Sequence, residues 1–230
     1  MLTLGIETAT ERVSVAIGGH EGVIGLFEIT KGRRHAETLV PAIEFTLRQA
    51  DIELDEIGVV AVDVGPGLFT GMRVGLASGK AIAQALRIPM IGISSLDLLA
   101  FRSRHTERVV VPVIDARKGE VFTAMYRQVP GGTQRIADPT VGSVDDLVAD
   151  LMARNQDVLC VGDGARRYRD EILEGYHCEI GGDEFPSAAP LVQLAHAQAL
   201  REDWVQPNEI EPMYLRQPDA VINWSTRASR

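Results

Sequence analysis

The sequence is poor in cysteine, in basic residues and in long apolar runs, and each shortage excludes a class of protein. Its only cysteines, Cys160 and Cys178, form no CxxC pair, so reduced thiols are the simplest interpretation, with a single disulfide left open. The 230 residues carry 23 Lys and Arg against 32 Asp and Glu. The resulting net charge of −9 argues against broad binding to a nucleic-acid backbone, although a local basic patch stays open.

The sequence also shows no pattern typical of a signal peptide or of a membrane-spanning helix. The opening segment, MLTLGIETATE, contains no Lys or Arg and reaches Glu7 early, which is untypical of a signal peptide. No apolar run reaches the length of about 18 residues that a membrane-spanning helix needs. We therefore predict a cytoplasmic protein that does not enter a membrane.

Common catalytic motifs are absent as well. The five histidines are scattered, without HExxH, HxxxH or a Cys/His cluster, so we predict no dedicated zinc site and no bound metal. No GxSxG nucleophile motif occurs. A peptidase would need a nucleophile with its base, or a metal site, and the sequence contains no convincing candidate for either.

Strand and helix patterns alternate along the chain and predict an α/β fold. An antiparallel meander is expected over residues 2–29, followed by a helix over 35–50 and a buried parallel strand over 59–65. A second strand–turn–strand unit occupies residues 109–126. Glu7 and Asp115 each end an apolar strand six residues before a valine. The repeated order predicts two similar halves that face a cleft.

The stretch GPGLFTGMRVGLASGK, residues 65 to 80, resembles a phosphate-binding loop but matches neither common motif. A Walker A loop would need Gly at Val74 and Ser or Thr at Ala81. A GxGxxG loop starting at Gly65 would need Gly at Thr70. A tight strand-to-helix turn is therefore favoured, with anion binding at the helix N-terminus left open.

The later glycines of this stretch, Gly71, Gly75 and Gly79, lie four residues apart and form one stripe on the predicted helix. An interior helical glycine costs about 1 kcal/mol against alanine, so close approach of another backbone is expected. The partner is either the protein's own sheet and first helix, which is favoured, or a second protein chain.

Several segments together resemble the TsaB (YeaZ) family, in order, from Leu2 to Arg216: LGIETATERVSVAI, GPGLFTGMRVGLASGKAIAQALRIPMIGISSL, VIDARKGEVF, GDGA and PMYLR. The resemblance implies a duplicated, two-lobed actin-like α/β fold with mixed sheets flanked by helices. It also implies a role in making N6-threonylcarbamoyladenosine in tRNA. We place the lobes at residues 1–104 and 105–230, with the last helix packing back on the first lobe and a mobile tail at 217–230.

The chain departs from the paralogous TsaD family, which performs the transfer. Where TsaD proteins carry two metal-binding histidines, this sequence has Ser95 and Leu99. The first hairpin turn, Thr8-Ala9-Thr10, lacks the glycine with which actin-like ATPases approach phosphates. The second turn keeps Gly119 behind Arg117 and Lys118.

The resemblance therefore implies a non-catalytic scaffold subunit that supports a TsaD-like paralogue and recruits a TsaE-like ATPase. It would form a homodimer when alone and contact tRNA mainly through the complex. The alternative is an ATP-dependent phosphotransferase of the actin-like superfamily, with Glu7 and Asp115 near Mg²⁺ and phosphates. We predict no cofactor, and weak nucleotide or Mg²⁺ binding stays open.

Two sets of residues are candidates for these roles. The predicted partner interface consists of Leu39, Ile43, Leu47, Gly71, Gly75 and Gly79. The predicted vestigial nucleotide or anion site consists of Glu7, Thr8, Thr10, Asp115, Arg117, Gly162 and Gly164. Asp63 also lies near a strand end, where it could hold Mg²⁺ through water or cap a turn.

Overall fold

The computed structural model of the chain describes residues 1–30, 32, 34–182 and 185–216. The predicted tail at 217–230 lies outside these residues. The first half consists of β1 (Leu2–Glu7), β2 (Arg12–Gly19), β3 (Gly22–Thr30), α1 (His35–Ala50), β4 (Ile57–Gly65), α2 (Phe69–Leu86), β5 (Met90–Ser94) and α3 (Ser95–Arg102). A short 3₁₀ helix, Leu54–Glu56, precedes β4.

The second half repeats this succession of strands. It consists of β6 (Val109–Arg117), β7 (Glu120–Val129), β8 (Gly132–Ser143), α4 (Val144–Arg154), β9 (Val158–Val161), α5 (Asp163–Arg167), α6 (Arg169–Gly175), β10 (Glu179–Ile180) and α7 (Ala188–Ala199). Helix α5 begins within the GDGA segment, at Asp163. In the described part of the chain, no helix combines the length and hydrophobicity needed to cross a bilayer.

The strands form two sheets with the same internal order. Within the described residues, one sheet has the order β3-β2-β1-β4-β5 and the other β8-β7-β6-β9-β10. In each sheet the meander strands pair antiparallel, and the two later strands add in parallel to the first strand. The second sheet therefore repeats the first strand for strand, which confirms the predicted duplication.

Alternating burial explains how helices cover both faces of the first sheet. On β4, Val60 and Val62 pack in the cluster that contains residues of α1 and α2. Val59 and Ala61 point to the other face and pack against α7. Successive strand residues point to opposite faces, so a strand that is apolar throughout becomes buried on both.

Helix α7, which lies late in the described chain, packs against the first sheet. Its Val192 packs in one cluster with Ala16 of β2, and the Ala188 N–H donates to Ser14 Oγ at 2.9 Å. The second sheet is covered by α4 and α6 on one face and by α3 on the other. The division at residues 104 and 105 stays a prediction about how the chain separates into lobes.

Candidate functional site

In each sheet, acidic side chains lie at or near the carboxyl ends of the first strand and of the strand that pairs with it in parallel. In the first sheet these are Glu7 of β1 and Asp63 of β4, which pair in parallel. In the second sheet they are Asp115 of β6 and Asp163, which begins α5 after β9. Because the two sheets share one topology, the four carboxyl groups occupy related positions at the carboxyl ends of parallel strands.

Glu7 and Asp63 form a buried carboxyl pair in the first sheet. Burial, and then the charge of Asp63, raise the pKa of Glu7 well above its ordinary value. Glu7 Oε1 accepts from the Ala9 N–H at 2.9 Å, whereas Oε2 has no hydrogen-bond partner among the described residues.

Asp63 is the better satisfied member of the pair. Its carboxylate accepts from the Ser95 hydroxyl at 2.7 and 2.9 Å and from the Gly65 N–H at 2.7 Å. Burial nevertheless raises its pKa to about 7. Burial thus disfavours the charged form of both carboxyl groups, and the charge of Asp63 further disfavours a charge on Glu7.

Asp115 is neutralised by cations of its own lobe. Its Oδ2 accepts from Arg117 Nη1 at 3.0 Å and from Arg167 Nη1 at 3.1 Å. Its backbone N–H donates to Asp163 Oδ1 at 3.1 Å. Burial raises the pKa of Asp163 to about 6. The carboxylate that could have faced Mg²⁺ is thus already paired.

Arg117 spans the gap between the two hairpins. Its Nη2 donates to Glu11 Oε1 in the first hairpin turn at 2.8 Å, while Nη1 holds Asp115. The backbone of Arg117, Lys118 and Gly119 is left-handed, with φ of 67°, 58° and 79°. For Arg and Lys this conformation is unusual, so the turn carries local backbone strain.

A small cavity lies between the two hairpin turns. The cavity bounded there by Thr10, Glu11, Asp115, Arg117 and Asp163 has a volume of about 10 Å³. That is about the space of one water molecule. This cavity is too small for a phosphate chain, and Asp115 and Arg117 also line the larger cavity described below.

The first hairpin turn is held by its own lobe. The Thr8 hydroxyl donates to Gly71 O at 2.8 Å, and His35 Nε2 lies 2.7 Å from Thr10 O. The Leu68 N–H donates to Ala9 O at 2.6 Å. These contacts hold the turn against the starts of α1 and α2. Leu68, His35 and Glu11 were not among the predicted site residues.

Gly162 and Gly164 lie where the second lobe needs close packing. A side chain at Gly162 would meet Val113 O, and one at Gly164 would come within 3.0 Å of the Asp115 N–H. The Gly164 N–H itself donates to Asp163 Oδ1 at 2.9 Å. Both glycines therefore approach the end of β6 near Asp115, and their role in an anion site stays a prediction.

The predicted partner-interface residues point inward, which is a correction. Leu39, Ile43 and Leu47 are buried in the core of the first sheet. A side chain at Gly71 or Gly75 would strike Thr8, and one at Gly79 would come within 2.7 Å of Val62. The stripe packs against the protein's own sheet, which is the option the sequence favoured.

The outward face of α2 instead carries small side chains that are exposed to solvent. Ala77, Ala81 and Ala85 lie four residues apart and are open to solvent. Phe69, at the start of the helix, is also exposed, and so are Val40 and Phe45 on the neighbouring α1. The sequence contained this second stripe, but only the position of the sheet distinguishes the outer stripe from the inner one.

No described group of three or more His, Cys, Asp and Glu side chains is arranged to hold a metal ion. Ser95 and Leu99, at the TsaD histidine positions, are both buried. Ser95 is engaged by Asp63, and Leu99 packs between α3 and the second sheet.

A larger cavity of about 410 Å³ lies beside the second hairpin. Its walls include Phe69, Phe122, Lys118 and the segment 213–216. That segment crosses between the lobes, since the Met213 N–H donates to Val64 O at 2.7 Å and Arg216 Nη1 donates to Ala116 O at 3.1 Å. Sequence periodicity does not reveal this segment, because it has no regular secondary structure.

Comparison with known proteins gives consistent matches over the chain. The family model described as "TsaD: tRNA N6-adenosine threonylcarbamoyltransferase" matches residues 27–224. The tRNA threonylcarbamoyladenosine biosynthesis protein TsaB of Escherichia coli is 30% identical, covering 94% of this chain and 95% of that protein. TsaB of Bacillus subtilis is 27% identical, with 97% and 98% coverage. An uncharacterised protein of Mycobacterium tuberculosis is 38% identical, with 94% and 92% coverage.

Solved structures agree with this picture. YeaZ from Pseudomonas aeruginosa superposes with a TM-score of 0.81 at 25% identity, covering 93% of this chain and 100% of that one. A protein from the same organism, described as similar to peptidase YEAZ, gives a TM-score of 0.84 at 28% identity, with 94% and 99% coverage. Together with the two sheets of equal order, these neighbours confirm the expected actin-like two-lobe α/β fold.

Proposed function

The chain belongs to the TsaB family, and from that premise we propose that it is a non-catalytic subunit in tRNA N6-threonylcarbamoyladenosine biosynthesis. It holds a TsaD-like catalytic paralogue in a competent state and helps to recruit a TsaE-like ATPase. Its own contact with tRNA is minor, because the chain carries a net charge of −9.

The ion pairs that Arg117 makes between the two hairpins carry this proposal. An actin-like phosphotransferase must admit phosphates between its two hairpin turns. Here Arg117 bridges Glu11 and Asp115 between those turns. The Asp115 carboxylate is thus paired with Arg117 and Arg167 rather than open to Mg²⁺, which argues against the phosphotransferase alternative.

A peptidase role finds no support in the described geometry. The Ser95 hydroxyl is buried and donates its hydrogen bond to Asp63 rather than to a histidine. His35 is also buried, and its Nε2 is hydrogen-bonded to Thr10 O. A nucleophile, its base and an open substrate site do not come together at these residues.

The docking surface that we propose is the outward face of α1 and α2. Exposed Ala77, Ala81 and Ala85 let a partner helix approach closely, and exposed Val40 and Phe69 supply apolar area beside them. The same surface serves a homodimer when the paralogue is absent.

A reconstituted modification reaction tests the proposal. tRNA, ATP, threonine, bicarbonate and the other bacterial components are incubated with and without this chain, and the modified adenosine is counted by mass spectrometry of digested tRNA. We expect product to be lost when the chain is omitted, and the isolated chain to hydrolyse no ATP. Unchanged product would contradict the role, and stoichiometric ATP turnover by the isolated chain would favour the phosphotransferase.

A further inference from the structure

Two cysteines that are 18 positions apart in the sequence lie next to each other in the second lobe. Cys160 Sγ and Cys178 Sγ lie 3.9 Å apart, and both thiols are free. Cys160 is fully buried within β9, while Cys178 is half-buried immediately before β10. The pair thus combines one reachable sulfur with one protected sulfur.

Strand geometry places the two side chains on one face of the sheet. β9 and β10 are parallel neighbours in which Ile180 pairs with Cys160. Cys178 precedes Ile180 by two residues, so an extended chain directs it to the same face. β10 is an edge strand of only two residues, Glu179 and Ile180, so few ladder bonds oppose the small shift that brings the sulfurs together.

A cavity of about 340 Å³ opens onto Cys178, and its lining contains two arginines, two carboxylates, one histidine and two apolar side chains. Arg108 lines it but is already bonded to Asp157 and Glu179. Arg169 lines it as well, and among the described residues its guanidinium has neither a hydrogen bond nor an ion pair. Arg169 is therefore available to a carboxylate of a bound molecule.

The two sulfurs differ in reactivity. The contact with Cys160 lowers the pKa of Cys178. The contact with Cys178, and then burial, raise the pKa of Cys160 well above its ordinary value. Since the thiolate is the attacking form, Cys178 is the first nucleophile and Cys160 the resolving thiol.

We propose that Cys178 and Cys160 are a redox-active dithiol that reacts with a small anionic disulfide, of the oxidised glutathione class, held in this cavity. The Cys178 thiolate attacks one sulfur of the disulfide, forms a mixed disulfide and releases one thiolate, which takes up a proton. Cys160 then loses its proton and attacks Cys178 Sγ, releasing the second thiol. The two cysteines are oxidised to one intramolecular disulfide, and the small disulfide is reduced to two thiols.

The test treats the full chain with oxidised glutathione, quenches by acid and measures the intact mass. We expect the wild type to lose two hydrogen atoms without retaining an adduct. Cys160→Ser should stop at a persistent glutathione adduct on residue 178. Cys178→Ser should gain neither adduct nor disulfide, because Cys160 is buried. Absence of the mass loss in the wild type, or disulfides only between separate chains, would overturn the proposal.

The role of the cavity has its own control. Arg169→Gln should slow the reaction with oxidised glutathione several-fold and leave the reaction with uncharged hydroxyethyl disulfide unchanged. Arg201→Gln, an exposed arginine at the end of α7, should change neither rate. If Arg169→Gln affected both disulfides equally, recognition by this cavity would be wrong, since the change would then reflect general access to Cys178.

Discussion

At the level of single residues, Gly75 shows how the glycine stripe works. A side chain there would run into the Thr8 hydroxyl and lie 3.5 Å from Ile6 Cγ2. We expect Gly75→Leu to lower the free energy of unfolding by about 3 kcal/mol or more, because an overpacked helix must move off β1. Urea unfolding measures the loss.

Ala77→Leu is the matched control for that variant, since Ala77 lies on the exposed face of the same helix. It should change the free energy of unfolding by less than about 0.5 kcal/mol. Equal losses in the two variants would mean that the stripe is not a packing surface against β1.

The buried Asp63 makes stability depend on pH in an unusual direction. Burial raises its pKa from 3.8 to about 7, with Glu7 and Asp97 as the neighbouring acids. Between about pH 4 and 7, the folded chain keeps a proton that the unfolded chain has already released. Stability therefore falls as pH rises through this window, by up to about 1.4 kcal/mol per pH unit for this carboxyl.

Replacing the carboxyl isolates its contribution. Asp63→Asn should flatten the slope of unfolding free energy against pH between about pH 5 and 7. Asp150→Asn, at a half-exposed acid on α4, should leave the slope as it is in the wild type. The assignment fails if the Asp63→Asn slope equals that of the wild type in urea titrations.

At the level of elements, α2 separates an inner face from an outer one, and the outer face is where we predict docking. Ala81→Glu adds bulk and charge among exposed alanines without touching the core. We expect it to fold normally and to weaken binding to a TsaD-like paralogue by roughly tenfold or more, about 1.4 kcal/mol. Calorimetric titration against the paralogue gives the affinity.

Met152→Glu is a matched control, because Met152 is exposed on α4 of the other lobe. It should leave that affinity unchanged. Should Ala81→Glu bind as tightly as Met152→Glu, the outer face of α2 is not the docking surface.

Elements with strong local patterns could be predicted from sequence, whereas a polar edge strand could not. The apolar spacing predicted a helix over 35–50, and α1 has those bounds. Strand β8 escaped prediction, since Asp138, Pro139 and its glycines disfavour a strand. Its pairing with β7 along one edge decides its conformation instead.

The candidate site was predictable only to the ends of the strands. Glu7 and Asp115 could be found because each ends an apolar strand before a turn. The bridge from Arg117 to Glu11 joins residues 106 positions apart, so no local pattern encodes it. No local pattern shows which way the glycine stripe faces either, because its direction depends on how the helix packs on its sheet.

For the whole molecule, Arg117 links the hairpins of the two lobes. Its pair with Glu11 has side chains that are 37% and 42% exposed, so we assign it about 1 kcal/mol at most. Arg117→Gly removes the pair and relieves the left-handed backbone at this position. We expect hydrogen exchange of the two hairpin turns to become up to about fivefold faster, because opening of the lobes loses this restraint.

Lys118→Gly separates the ion pair from the backbone effect. Lys118 shares the left-handed conformation, with φ of 58°, so glycine eases the same turn while Arg117 keeps Glu11 and Asp115. Its hairpins should exchange no faster than those of the wild type. Equal acceleration in both glycine variants would place the restraint in the turn backbone and not in the guanidinium. Faster exchange in Arg117→Gly alone would mean that an arginine now ties the lobes together where a nucleotide would bridge them in an actin-like ATPase.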